Sequence, residues 1–87
     1  MMTKIIKYSA PWCPACAGLT DTLNVFQNQY NFELEEIDIS IDEKKGVEAN
    51  IKTLPTIIIH KNNGEQERME GQVSPYLISQ TLREEKT

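Results

Sequence analysis

The two cysteines of this sequence, separated by two residues, are its clearest chemical feature. They lie in the segment Trp12-Cys13-Pro14-Ala15-Cys16. At the start of a helix, Cys13 would face unpaired backbone N–H groups and the positive end of the helix dipole, and both favour the reactive thiolate. Cys16 would lie one turn further on. The spacing therefore predicts thiol–disulfide exchange, in which Cys13 attacks a substrate disulfide and Cys16 resolves the mixed disulfide.

The same cysteine pair has an alternative interpretation as half of a metal site. Structural zinc requires about four ligands, and the sequence offers one other good candidate, His60. An iron–sulfur cluster requires four thiolates, so two chains would have to pair through Cys13 and Cys16. We therefore predict a redox-active disulfide with no metal and no bound cofactor, and we interpret His60 as a surface residue at a strand end. A metal or iron–sulfur binding module is the alternative from another class.

The length and charge of the chain limit its number of domains, its partners and its location. The 87 residues predict one domain, 1–87, and the net charge of −4 without a basic cluster argues against nucleic acid as a partner. The sequence contains no run of about 18 apolar residues, so it predicts no membrane span. The N-terminus does not match a signal peptide. We expect a monomeric cytoplasmic protein with no membrane partner. In that compartment a permanent disulfide is rare.

Apolar periodicity predicts the elements that position the cysteines, in the order β-α-β-α-β-β-α. The expected strands cover residues 4–8, 32–40, 57–59 and 65–70, and the expected helices cover 13–30, 42–50 and 75–83. The continuous apolar run at 57–59 predicts a strand covered on both faces. Helices between strands favour parallel crossovers, and the late hairpin adds an antiparallel edge. Residues 84–87 are expected to fray.

Two separated motifs resemble one known superfamily. Residues 8–16, Tyr-Ser-Ala-Pro-Trp-Cys-Pro-Ala-Cys, resemble the approach to the glutaredoxin active site. Residues 53–59, Thr-Leu-Pro-Thr-Ile-Ile-Ile, followed by residues 61–64 and Gly71, resemble the distal half of thioredoxin. Together they are typical of the thioredoxin/glutaredoxin superfamily. The resemblance covers nearly the whole chain and implies an α/β protein with the minimal thioredoxin fold, a central four-stranded mixed sheet flanked by three helices.

The resemblance also implies a substrate-facing surface beside the cysteines. Its expected members are Trp12, Pro14, Leu54, Pro55 and Gly71. Pro55 would be cis and face the cysteines, the backbone of Leu54 would pair with a substrate chain, and Gly71 would let a partner approach. From the residues alone, a proline before an apolar strand equally suits a plain stop to the preceding turn. Trp12 suits contact with partner proteins, cover over the sulfur pair, or both.

Departures from the family pattern bear on the substrate. Glutaredoxins commonly bind glutathione through a basic residue before the active site, an aromatic between the cysteines, and a Gly-Gly with acids after the last strand. Those places hold Ala10, Ala15 and residues 70–73, Glu-Gly-Gln-Val. The glutathione carboxylates would lose a positive partner and meet repulsion from Glu70. We therefore favour an electron carrier that reduces protein disulfides and is recharged by a thioredoxin reductase, with a glutathione-dependent glutaredoxin as the alternative. Small redoxins that feed ribonucleotide reductase look similar.

A further departure concerns a charge six residues before the first cysteine. Thioredoxins carry a buried Asp there, and this sequence has Lys7; Glu36 stands in the neighbouring strand, where a Lys is common. We hypothesise a charge-reversed pair that tunes the cysteines, with Lys7 favouring a thiolate and Glu36 relaying a proton to Cys16. The alternative is a pair of solvated charges at strand ends.

Overall fold

The computed structural model describes residues 3–71 and 73–86, which form four strands and three helices in the predicted order. The strands are β1 Thr3–Ser9, β2 Phe32–Asp38, β3 Thr56–His60 and β4 Gln66–Glu70, and the helices are α1 Pro14–Gln29, α2 Glu43–Glu48 and α3 Pro75–Lys86. The predicted fold class is confirmed. Among the described helices, none is long and apolar enough to cross a membrane. The expectations for Gln72 and Thr87 lie outside the described residues.

The four strands form one mixed sheet in the order β2-β1-β3-β4. β1 is parallel to β2 and antiparallel to β3, and β3 is antiparallel to β4. The expected parallel crossover is therefore confirmed for α1 and wrong for α2. α2 has six residues and spans about 9 Å, whereas a parallel return along the seven residues of β2 would cover about 23 Å. β3 consequently begins near the end where β2 finishes and runs back.

Each face of the sheet carries its own apolar core. On one face the buried residues come from the strands, α1 and α3: Ile5, Leu19, Leu23, Phe32, Ile57, Ile59, Ile78 and Leu82. On the other face Tyr8, Ile37 and Ile58 are buried, with Ile39, Ala49 and Ile51 packed against them. Ile57 and Ile59 thus belong to one face and Ile58 to the other. The prediction that this strand is covered on both sides is confirmed.

The end of α3 differs from the expectation. Residues 84–86 are helical, so α3 continues past the expected end at residue 83. The Glu85 carboxylate accepts hydrogen bonds from the Asn62 backbone N–H at 2.7 Å and from Thr3 Oγ1 at 3.4 Å. These contacts tie the last turn of α3 to the β3–β4 turn and to the start of β1. A charged side chain with two tertiary partners offsets the entropy that frees most chain ends.

Arg68 joins the edge strand β4 to the end of α2. Its guanidinium donates to the carbonyl oxygens of Ala49 and Asn50 at 2.7 and 2.8 Å, and it pairs with Glu70. Asn50 has a φ of +56°, and the segment after it leads to Pro55. Arg68 therefore satisfies helix-end carbonyls that have no partner within α2.

We expect Arg68→Ala to lower the free energy of unfolding by about 1–2 kcal/mol, because two carbonyl oxygens lose a charged donor. Urea unfolding followed by circular dichroism measures the change. Arg83→Ala, at an exposed position on α3, is the matched control and should stay within about 0.5 kcal/mol. Equal losses in the two variants would contradict the bridging role of Arg68.

Candidate active site

Cys13 occupies the N-terminal end of α1. It is the N-cap residue, with extended backbone angles of φ −111° and ψ 96°, and Pro14 follows in the first turn. Proline suits that position because its missing N–H would have had no partner in the helix. The Cys16 backbone N–H donates to the Cys13 Sγ atom at 3.2 Å. The sulfur of Cys13 therefore receives a backbone donor at the positive end of the helix, which is the environment that favours a thiolate.

Cys13 and Cys16 form a disulfide, with their Cα atoms 5.3 Å apart. The two residues differ in accessibility, since Cys16 is 3% exposed whereas Cys13 is partly exposed. A substrate sulfur can approach Cys13 more easily than Cys16. The division of roles, in which Cys13 attacks and Cys16 resolves, stays a prediction, and this difference in exposure is consistent with it.

The loop before β3 faces the same end of the sheet. The Leu54–Pro55 peptide bond is cis, so that part of the expectation from the resemblance is confirmed. The Pro55 carbonyl accepts a hydrogen bond from the Gly71 N–H at 2.9 Å, and Thr56 Oγ1 donates to the Thr53 carbonyl at 2.5 Å. Gly71 has a φ of +70°, a conformation that glycine adopts without steric cost. The two loops that carry Pro55 and Gly71 are thus bonded to each other.

A groove of about 610 Å³ runs between α1 and these two loops. Ala15, from between the cysteines, lines one side, and Pro55, Gly71, Val73 and Ser74 line the other. Among the described residues that line the groove, none is charged. The groove therefore offers apolar and backbone contacts to a chain that approaches the disulfide.

The other residues expected on the substrate-facing surface occupy different environments. Trp12 is 67% exposed, so most of its indole is available to a partner, and Pro14 is exposed beside it. Leu54 is half-buried and packs against the core cluster that contains Ile58. The side chain of Leu54 is thus used for packing, and its main chain is the part that remains for contact with a substrate.

Lys7 lies on β1 below the first turns of α1 and is 1% exposed. Its Nζ atom donates to Glu36 Oε1 at 3.0 Å and to Thr20 Oγ1 at 2.5 Å. The hypothesised pairing of Lys7 with Glu36 is therefore present, and the alternative of a solvated charge is wrong for Lys7. Sequence reasoning missed Thr20. The signal was its position four residues after Cys16, on the same face of α1.

Comparison with known proteins identifies the family. The thioredoxin family model matches residues 2–84. The chain belongs to the thioredoxin family. Thioredoxin 1 of a Nostoc species is 26% identical over 80 residues, which are 90% of this chain and 75% of that protein. The chloroplastic M-type thioredoxin of Chlamydomonas reinhardtii is 28% identical over 80 residues, which are 90% of this chain and 57% of that protein.

A solved structure of chloroplastic thioredoxin z superposes with a TM-score of 0.85 at 22% identity, covering 98% of this chain and 79% of that one. Family membership and the Cys13–Cys16 disulfide together establish a thiol–disulfide oxidoreductase, an enzyme of the electron-carrier type that acts on protein disulfides. Cys13 and Cys16 are the redox-active pair of this thioredoxin.

The metal-site interpretation encounters a geometric obstacle in this thioredoxin. His60 pairs with Lys4 near the start of β1, whereas the cysteines follow the other end of that strand. Thr56, at the cysteine end of β3, lies four residues or about 13 Å away along the strand. His60 therefore does not share a site with the cysteines within one chain. In the described part of the chain, no group of three or more metal-ligating side chains occurs.

Proposed function

We propose that this thioredoxin is a dithiol reductant of protein disulfides that a thioredoxin reductase recharges. The uncharged groove beside the disulfide carries the proposal. Glutathione has two carboxylates, and a site that selects it must supply positive partners. The described lining residues supply none, whereas a polypeptide segment needs only backbone and apolar contacts. The glutathione-dependent alternative lacks a comparable supporting observation.

The reaction follows from the two sulfurs and their unequal exposure. The Cys13 thiolate attacks one sulfur of the substrate disulfide, which breaks the substrate S–S bond and releases one substrate thiolate. The Cys16 thiolate then attacks Cys13 Sγ and releases the second. The substrate gains two electrons and takes up protons from solvent, while the Cys13–Cys16 disulfide forms. NADPH supplies two electrons through the reductase to restore the dithiol.

Main-chain recognition of the substrate suits the loops around the groove. The bond from the Gly71 N–H to the Pro55 carbonyl connects the two loops, and Leu54 directly precedes Pro55 in the first of them. An extended substrate segment can add to such a backbone through hydrogen bonds that do not depend on its sequence. This mode supports a carrier with several protein targets. Ribonucleotide reductase, which completes its cycle with a disulfide, is one target within the proposal.

Two electron sources distinguish the proposal from its alternative. We expect NADPH with thioredoxin reductase to reduce the oxidised protein at least about tenfold faster than NADPH with glutathione and glutathione reductase, because the groove lacks positive partners for glutathione. NADPH absorbance measures both rates, and the Cys13→Ser variant is the control that neither system should turn over. Reduction only through glutathione would overturn the proposal.

The cytoplasmic location expected from the sequence belongs to this proposal as well. The thiol-reducing conditions of that compartment would keep Cys13 and Cys16 in the dithiol form that the reaction requires. Trapping of thiols with a cell-permeant alkylating reagent before lysis would report the redox state of the pair. A pair found fully oxidised in cells would contradict the assignment.

A further inference from the structure

An ionic cluster with a buried lysine lies beneath the first turns of α1. It consists of Lys7, Thr20, Glu36 and Ser9. We infer that Lys7 is a positioning residue whose ammonium stabilises negative charge on the reduced cysteine pair. This inference rests on the proposed function, in which the dithiol form is the working nucleophile, and it names the group that tunes that nucleophile.

A chain of hydrogen bonds connects Lys7 to the active-site turn. The ammonium donates to Thr20 Oγ1 at 2.5 Å, and Thr20 Oγ1 donates to the Cys16 carbonyl at 3.1 Å. Thr20 lies four residues after Cys16, so about one helical turn separates the level of the ammonium from that of the buried cysteine. Two hydrogen bonds thus connect the Lys7 ammonium on β1 to the backbone of Cys16 on α1.

The two charges of the cluster differ strongly in exposure. Lys7 is 1% exposed, whereas the side chain of Glu36 is 47% exposed. Water therefore screens the carboxylate, while the ammonium acts through the less polarisable interior. Two further neighbours of the pair in the described structure are uncharged, since Ile57 on β3 lies beside Lys7 and Ser9 donates to Glu36. Because the carboxylate is the more screened of the two charges, the Lys7 charge should dominate at the cysteines, and a nearby positive charge favours a thiolate over a thiol.

The positive charge of Lys7 also affects the reduction potential of the cysteine pair. A positive field stabilises the thiolate that forms when the disulfide is reduced, and it does not act on a neutral disulfide in the same way. Stabilisation of the reduced form makes a dithiol a milder reductant and a better leaving group in exchange. Lys7 would therefore shift the Cys13–Cys16 couple in the oxidising direction relative to the same protein without the buried ammonium.

Lys7→Met tests the inference with little change in side-chain volume. The pH dependence of iodoacetamide alkylation of the reduced protein reports the pKa of the Cys13 thiol. We expect that pKa to rise by about 0.5–1.5 units when the ammonium is removed. Lys4→Met is the matched control, because Lys4 pairs with Glu35 at 2.9 Å on the same two strands, at a more exposed site on the opposite face of the sheet. Lys4→Met should leave the pKa of Cys13 unchanged.

Glu36→Gln should change the pKa of Cys13 in the opposite direction to Lys7→Met. It removes the screened negative charge at a half-exposed position, so the pKa of Cys13 should fall by a smaller amount. If the cluster had only a structural role, the two variants would change the pKa of Cys13 in the same direction. No change in Lys7→Met, or the same direction in both variants, overturns the inference. If Lys7→Met does not fold, Glu36→Gln decides alone, and a rise or no change overturns it.

The alkylation assay also separates this inference from the proposed function. It uses a small reagent on the isolated reduced protein, with no reductase and no protein substrate. Failure of thioredoxin reductase to recharge the protein would overturn the proposed function and leave the effect of Lys7 intact. An unchanged pKa of Cys13 in Lys7→Met would overturn the role of Lys7 and leave the proposed function intact.

Discussion

Replacing Cys13 with serine should reduce the rate of protein-disulfide reduction by about a thousandfold or more, because the attacking thiolate is lost and the remaining thiol, Cys16, is buried. Cys13 is a partly exposed residue at the N-terminal end of α1, whereas Cys16 is 3% exposed. Turbidity from insulin chains released in the presence of dithiothreitol measures the activity. A Cys13→Ser variant that retained activity would contradict the assigned order of attack.

Cys16→Ser provides the contrasting variant within the same turn. It keeps the attacking sulfur and removes the resolving one, so a mixed disulfide between Cys13 and the substrate should accumulate to nearly one per protein. Non-reducing electrophoresis and intact-mass spectrometry detect this adduct. Cys13→Ser should form none. An adduct that forms in Cys13→Ser and not in Cys16→Ser would mean that Cys16 attacks and Cys13 resolves.

Much of this site could be predicted from the sequence because its chemistry is local. A cysteine pair at a helix start needs only a spacing of two residues and a proline that is tolerated in the first turn. Cys13, Pro14 and Cys16 satisfy those conditions within four residues. The likeness of residues 53–59 to thioredoxin then added the cis bond at Pro55, which no local pattern of this chain distinguishes from trans.

The features that sequence reasoning missed depend on lengths and on distant partners. The direction of β3 depended on how far α2 reaches, and the ordered end of α3 depended on Asn62 and Thr3 meeting Glu85. The Lys7–Glu36 pair was hypothesised from two family departures. The unequal burial of Lys7 and Glu36, which decides the sign of their effect on the cysteines, became visible only in the structure, as did the contact with Thr20.

Leu23→Ala should cause the largest loss of stability among the variants considered, about 2–5 kcal/mol in the free energy of unfolding. Leu23 is fully buried on α1, in the same cluster as Ile5 and Ile57. Truncation removes apolar contacts and leaves a cavity that a tightly packed sheet face fills only in part. Val25→Ala, on the same helix at 54% exposure, is the control and should cost less than about 1 kcal/mol.

The redox state should change this result little. The disulfide joins residues only three apart, within the first turn of α1, so it constrains the unfolded chain far less than a bridge across a long loop. Urea unfolding of the oxidised and reduced forms should therefore show the same Leu23→Ala penalty. A penalty confined to the reduced form would mean that the disulfide, and not the packing of α1 on the sheet, anchors the helix that presents Cys13. In that case the disulfide would contribute more than the apolar face of α1 to holding the active site in position.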